Sequence, residues 1–315
     1  MNQLSAPELR VFTNPLFALF INTQSPTGGY VIITPVRNEG QYLQKTVDSV
    51  VAQTLPPRKW IIVNDGSTDN TKELIEEAAK HHSWIQAVHR SDRGFRKQGG
   101  GVIEAFYDGY NLIASEPWDF LVKLDGDLSF DRGYFESCLK QFADDSKLGI
   151  GGGTVCCLDG GALVAEARND PRFHVRGATK IYRRQCWEQI GGLLKAPGWD
   201  TVDELKANML GWETRTFAEI LLLQHKDTGS ADGAWRNWVK NGLANYVSTY
   251  HPLFMLAKCL KRVFARPYLL SAAGLAFGFV GGYLRRVPRI EDSALTRYIR
   301  AQQIRKLTLR PSIWD

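Results

Sequence analysis

The sequence predicts an α/β fold in which a mostly parallel sheet is flanked by helices and followed by a helical C-terminal appendage. Short runs that are apolar on both faces alternate with segments of helical periodicity through the first two hundred residues, the pattern of a parallel sheet covered on both sides. Acidic and turn-forming clusters stand directly after several of these runs, where strands of such sheets present their carboxyl ends to ligands. Further on the chain turns aromatic and basic at helical intervals. These features divide it into a lead segment (1–29), an α/β domain (30–230) and a helical, basic region (231–315).

Taken in order, Tyr30-Val31-Ile32-Ile33 is a β-rich run that opens the sheet. After Gly40, the residues Leu43, Val47, Val50 and Val51 fall on one helical face. Trp60-Ile61-Ile62-Val63 makes a second strand. Asp69 is a good N-cap for a helix from Asn70 to Lys80, whose apolar positions are Leu74, Ile75 and Ala78. Trp84 to Val88 is a third strand, Gly101 to Ala114 a third helix and Phe120-Leu121-Val122 a fourth strand. A later apolar run, Ile220 to Leu223, ends in Gln224-His225.

Composition narrows the class. With 315 residues, 44% hydrophobic and 23% charged, the chain has enough apolar material for a sizeable core. It is not a disordered chain, a collagen-like repeat or a disulfide scaffold. A mean hydropathy of -0.25 excludes a polytopic membrane protein. Five cysteines without paired metal-ligand spacing point to a reducing compartment and no structural zinc, with Cys156 and Cys157 on two faces of a strand. Residues 1–30 lack the pattern of a secretion signal.

The polar clusters carry the chemistry. They are Thr34-Pro35-Val36-Arg37-Asn38-Glu39 after the first strand, Asn64-Asp65-Gly66-Ser67-Thr68-Asp69 after the second and Asp125-Gly126-Asp127 after the fourth. Two carboxylates one residue apart can face a common cleft if the glycine allows the bend. Their oxygens suit a hard divalent cation, Mg2+ or Mn2+, which in turn binds a diphosphate. Taken alone, Asp125-Gly126-Asp127 is equally an Asp-Gly turn with solvated acids.

The three clusters together, in this order and context, resemble the nucleotide-sugar-binding part of glycosyltransferase family 2, over roughly residues 30 to 225. That resemblance implies the GT-A (Rossmann-like) fold, a nucleoside-diphosphate sugar donor, UDP-sugar by family habit, and a divalent cation. It further implies that Asp65 accepts a hydrogen bond from the base and that Pro35 and Glu39 line the nucleotide pocket. Asp125 is expected near the ribose and the metal, and Asp127 as the principal metal ligand. His225, the late histidine of the chain, is the best-placed candidate to complete the metal or diphosphate site; a histidine at a strand end is also a common structural residue.

Two further segments bear on the site. Arg93-Gly94-Phe95-Arg96-Lys97-Gln98-Gly99-Gly100-Gly101 precedes the third helix; backbone N–H groups of such a turn suit a phosphate, and Arg96 and Lys97 add positive charge. A flexible solvated loop fits the same residues. Gly198-Trp199-Asp200-Thr201-Val202-Asp203-Glu204 resembles the acceptor-side acidic motif of the family, with Trp199-Asp200 where Glu-Asp is usual, counting back from Gly211-Trp212. The catalytic base is then Asp200, or Asp203 in a shifted register; the same acids also suit a helix start.

Charge is uneven along the chain. From His251 to Asp315 there are 12 Lys/Arg against 3 Asp/Glu, a net of +9, so the first 250 residues carry 27 basic and 30 acidic groups, a net of -3. An anionic surface is the expected partner of the tail. Basic residues interleaved with apolar ones at helical spacing favour the cytoplasmic face of a membrane over nucleic acid. The uncharged stretch Pro267 to Leu284 fits an apolar helix packed on the domain, an in-plane or re-entrant anchor, or a short span, and Gly274-x-x-x-Gly278 could mark a helix contact. Glu291 to Leu309 is expected as an amphipathic basic helix.

The resemblance thus implies an inverting, metal-dependent transferase, and the basic tail adds a cytoplasmic place, peripheral or monotopic on the inner face of the membrane. It would add a sugar to a hydroxyl of a glycan or lipid-linked acceptor in cell-surface polysaccharide or glycolipid synthesis. The absence of a Gln-x-x-Arg-Trp signature argues against a processive synthase. Transfer to a polyprenyl phosphate is a second enzyme reading, and a non-catalytic nucleotide-sugar-binding scaffold is the reading from another class.

Overall fold

The computed structural model describes residues 29–92, 94, 100–166, 170–226, 233–264 and 268–315. Arg96 and Lys97 lie outside the described residues. The first half follows the expected alternation: β1 (Tyr30–Val36), α1 (Leu43–Val51), β2 (Lys59–Asn64), α2 (Thr71–His81), β3 (Ile85–His89), α3 (Gly101–Tyr110) and β4 (Phe120–Leu124). These four strands pair in parallel in the order β3-β2-β1-β4. β1 is buried along its whole length, which is why it carries no alternating polar residues. Its side chains divide between two cores: Tyr30 and Ile32 join Leu43, Ile75 and Phe135 on one face, while Val31 and Ile33 join Ile103, Phe106 and Trp187 on the other.

Two helix ends differ from expectation. α2 begins one residue late, at Thr71, and Asp69 serves it by accepting hydrogen bonds from the Thr71 backbone N (3.1 Å) and hydroxyl (2.5 Å). α3 stops at Tyr110, and turns take over from Asn111.

The second half is mixed. It contains β5 (Leu128–Phe130), α4 (Tyr134–Asp144), β6 (Leu148–Asp159), β7 (Ala162–Ala165), β8 (Thr179–Arg183), α5 (Arg184–Ile190), α6 (Trp199–Met209) and β9 (Glu213–Gln224). The sheet runs β3-β2-β1-β4-β8-β6-β9-β5, with β7 paired to β6. β8 inserts antiparallel between β4 and β6, and β5 is antiparallel to β9, while β6 and β9 are parallel. Among the described residues no crossover helix separates β6, β7 and β8, and β7 and β8 each pair antiparallel with β6. Cys156 is buried and Cys157 half-buried on successive positions of β6, and all five cysteines are free.

Four helices close the chain: α7 (Gly233–Val247), α8 (Pro252–Val263), α9 (Leu270–Leu284) and α10 (Ser293–Leu307). Their core is shared with the sheet domain, because Val202 and Leu205 of α6 pack with Tyr246, Met255, Leu275 and Leu295. α9 lies against α7 at close range. A Cβ at Gly278 would strike the Val239 carbonyl, one at Gly242 the Leu275 carbonyl, and one at Gly274 would come within 2.6 Å of Trp238 Cβ. The Gly274/Gly278 spacing therefore does mark a helix contact. Among the described residues no helix is long and apolar enough to cross a membrane. α10 also differs from a free amphipathic helix: it buries Leu295, Ile299 and Gln303 and packs on α6 and α8.

Candidate active site

The strand ends converge as the sequence suggests. Asp65 follows β2, and its backbone N donates to the Val36 carbonyl at 2.8 Å. Its carboxylate is buried and receives Arg90 Nη1 at 2.6 Å, so it is held by an arginine in addition to its turn. Gly66 adopts φ +69, and a Cβ there would come within 2.5 Å of Asp92 Cα, so this turn requires glycine. Pro35 sits in β1 opposite Val63. Glu39 binds Lys226 Nζ at 2.9 Å, which ties the loop after β1 to the residues beyond β9.

Asp125 and Asp127 flank Gly126, whose α-carbon lies so near the Val36 side chain that a Cβ would overlap it. The Asp125 backbone N donates to the Ala178 carbonyl at 2.8 Å. Its carboxylate is bound by Lys123, and the same ammonium donates to the Gly177 carbonyl at 2.5 Å. Asp127 is 5% exposed. Gln224 Nε2 donates to its Oδ2 at 3.1 Å, and the His225 backbone N donates to its carbonyl at 2.9 Å. Burial, then the charge of Asp125 and, beyond the Gln224 bond, that of Glu39, push the Asp127 carboxyl up to about 7.

That electrostatic arrangement bears on the implied metal. Carboxylates crowded until one of them gains a proton are relieved by a cation, and oxygen donors suit Mg2+ or Mn2+ completed by diphosphate oxygens and water. Asp127, with Asp125 beside it, fits that role. His225, expected as a further ligand, has its Nε2 2.6 Å from Ser129 Oγ and its ring stacked on Tyr42 at 6.0 Å. Among the described residues no group of three or more His, Cys, Asp or Glu side chains forms a metal cluster.

The two candidate bases have different surroundings. Gly198, at φ +89, turns the chain into α6, so Trp199 and Asp200 begin the helix. Asp200 is half-buried, and a Cβ built on Gly177 would lie 3.3 Å from its Cβ. Lys180 Nζ donates to its backbone carbonyl at 2.5 Å. Asp203, one turn on, is fully buried, with Lys180 Nζ 3.0 Å from each carboxylate oxygen and Tyr182 OH donating at 2.6 Å. Glu204 completes this cluster through Lys180 (2.6 Å) and His174 Nδ1 (2.9 Å). Burial opposes the charged form of Lys180, but Asp203 and Glu204 outweigh it and raise its pKa.

Several of these partners escape a motif reading. Lys123 lies inside an apolar strand and Lys180 in the buried part of β8, and both ammonium groups sit over the Trp199 ring, 5.2 and 5.7 Å from its centroid. A lysine inside a strand with apolar neighbours, as in Phe-Leu-Val-Lys-Leu, is the signal that marks Lys123, since such a charge must find partners; Thr-Lys-Ile-Tyr-Arg around Lys180 carries none. Gln224, Arg90 and Lys226 carry no comparable local signal.

Glycosyl transferase family 2 matches residues 31–193, just over half of the chain. The chondroitin synthase of Pasteurella multocida (strain Pm70) is 29% identical over 150 residues, which cover 45% of this chain and 14% of that protein. The chain therefore spans a small part of the curated relatives it matches. Among solved structures, the mannosyltransferase PcManGT from Pyrobaculum calidifontis, in complex with GDP-Man and Mn2+, aligns with a TM-score of 0.52 at 18% identity over 86% of this chain and 80% of that one. S. aureus TarS 1-349, in complex with UDP-GlcNAc, aligns with a TM-score of 0.50 at 14% identity over 88% and 81%. The fold is that of GT-A glycosyltransferases, and the chain belongs to glycosyl transferase family 2.

Proposed function

We propose that this chain is an inverting glycosyltransferase that moves a sugar from a nucleoside-diphosphate sugar, UDP-sugar first among them, to a hydroxyl of a glycan or lipid-linked acceptor. The process it would serve is cell-surface polysaccharide or glycolipid synthesis, at the cytoplasmic face of a membrane and with no part for nucleic acid. One observation carries the reading. Asp125 at the end of β4 and Asp200 at the start of α6 meet around Gly177, through Lys123 on one side and the Asp200 Cβ on the other. A donor-side carboxylate and a half-buried carboxylate able to act as base thus stand on either side of Gly177.

In this reading Asp65 binds the base, Pro35 and Glu39 line the nucleotide pocket, and Asp127 with Asp125 holds the cation. Asp200 accepts the proton of the acceptor hydroxyl as its oxygen bonds to the anomeric carbon and the bond to the diphosphate breaks. The cation, when bound, offsets the negative charge that develops on the departing diphosphate. Asp203 is not the base here, because its oxygens are committed to Lys180 and Tyr182. Arg96 and Lys97 remain proposed phosphate contacts on sequence grounds.

The test is a sugar-transfer assay on wild type and Asp200→Asn, with donor binding followed by calorimetry. Unchanged donor binding with transfer lowered by about 10²- to 10⁴-fold is expected. Normal transfer by Asp200→Asn would move the base elsewhere, or favour an acceptor such as a polyprenyl phosphate that needs little base assistance.

A further inference from the structure

Helices α8 and α9 each bury one face and leave the other uncovered. α8 turns Met255 inward, while Leu253, Leu256 and Leu260 form one exposed row that continues to Phe264, which is 84% exposed. The spacing of these four places them within one face of a helix. α9 repeats the arrangement. Its glycine face is taken up against α7, and on the other side Phe277, Val280 and Leu284, the last 80% exposed, form a second row. α8 and α9 pack on each other; the exposed Leu269 caps the start of α9 and the exposed Leu270 opens it. Single exposed apolar residues are ordinary, but two aligned rows on adjacent helices are not.

Charge says what covers them. Between residues 233 and 290 the sequence has nine Lys/Arg and no Asp or Glu at all. Lys261 follows the α8 row, and Arg285 and Arg286 follow the α9 row, all three exposed. A second copy of this chain docked face to face would set these cations against their own kind. A bilayer with anionic headgroups offers both complements, acyl chains for the rows and phosphates for the cations. α10 offers no such row: Leu295 and Ile299 lie in the shared core, and Lys306 pairs with Asp315 at 2.9 Å.

We infer that the outer rows of α8 and α9, with Lys261, Arg285 and Arg286, form an in-plane docking surface for an anionic lipid bilayer. The inference deepens the membrane-face part of the proposed function. It is tested without donor or acceptor, so its failure leaves sugar transfer untouched, and failure of transfer leaves it standing.

The experiment is co-sedimentation of the full chain with vesicles of pure phosphatidylcholine and with vesicles containing phosphatidylglycerol. Expected is binding to the anionic vesicles that weakens with salt and is much poorer on the neutral ones. Leu256→Glu with Leu260→Glu, and separately Phe277→Glu, lower it by about tenfold or more. The charge variant Lys261→Glu with Arg285→Glu and Arg286→Glu lowers it too, and Leu112→Glu, on an exposed residue in the turn after α3, leaves it unchanged. Thermal melts verify that each variant is folded. Equal binding to both vesicle types, binding that survives the row variants, or no binding by a monomer overturns the inference. So does a dimer in light scattering that the row variants dissociate without any vesicle binding, since a second copy would then cover the face.

Discussion

Lys180 and Asp203 form a buried bidentate pair: the ammonium nitrogen lies 3.0 Å from each carboxylate oxygen, and neither side chain is exposed. The same nitrogen reaches the backbone carbonyl of Asp200 and the carboxylate of Glu204. One lysine from β8 thereby fixes the first turn of α6, which carries the proposed base, without touching the base carboxylate.

Lys180→Met leaves Asp203 buried without its counter-charge and Glu204 with His174 alone. Removing one partner of a buried pair costs about 3–5 kcal/mol, so unfolding in urea should show a loss of that size. A loss below about 1 kcal/mol, in the range of surface pairs, would mean that the cluster is open to water and that Asp203 returns as a candidate base.

His174 gives this cluster a pH dependence. Burial disfavours its charged form, but the Glu204 carboxylate 2.9 Å away outweighs that and raises its pKa above the ordinary value. The folded state then holds the proton where the unfolded state has released it. The resulting stability is complete below the unfolded pKa and is lost as pH rises through the folded one. Urea midpoints from about pH 6 to about pH 9 should fall more steeply with pH for wild type than for His174→Gln. Parallel curves would show that His174 is neutral throughout.

The contact between α7 and α9 separates two glycines of the same helix. Gly278→Ala places a methyl against the Val239 carbonyl, whereas at Gly281 a Cβ meets only the flexible end of Arg285, at 3.3 Å. Gly278→Ala should lower the melting temperature. Gly281→Ala should hold it or raise it, alanine being better than glycine by up to about 1 kcal/mol in a helix. The reverse order would mean that the two helices do not pack as described.

Much of this was legible in the sequence, for identifiable reasons. Tyr30 to Ile33, Trp60 to Val63 and Phe120 to Val122 become strands because they are apolar on both faces, and only a sheet covered on both sides accepts that pattern. Asp65, Asp125, Asp127 and Asp200 stand out because each follows or begins an element in a motif of fixed order. Pairing was not legible: β8 lies between β4 and β6, and no local pattern in Thr179–Arg183 records its direction. Nor was the setting of His225, whose ring meets Ser129 only because β5 and β9 pair with Leu128 opposite Gln224. The cluster beneath Asp200 joins His174, Lys180, Tyr182, Asp203 and Glu204 across two elements and a loop, contacts that tertiary packing decides.

The proposed function turns on Asp127 holding a divalent cation against the diphosphate of a nucleotide sugar. A thermal-shift panel of UDP-, GDP- and dTDP-sugars, with and without Mn2+, on wild type and Asp127→Ala tests it. Expected is a metal-dependent rise with one nucleotide, UDP first, that disappears in the variant. No rise with any donor from folded wild-type protein, or a rise that Asp127→Ala retains, would contradict it.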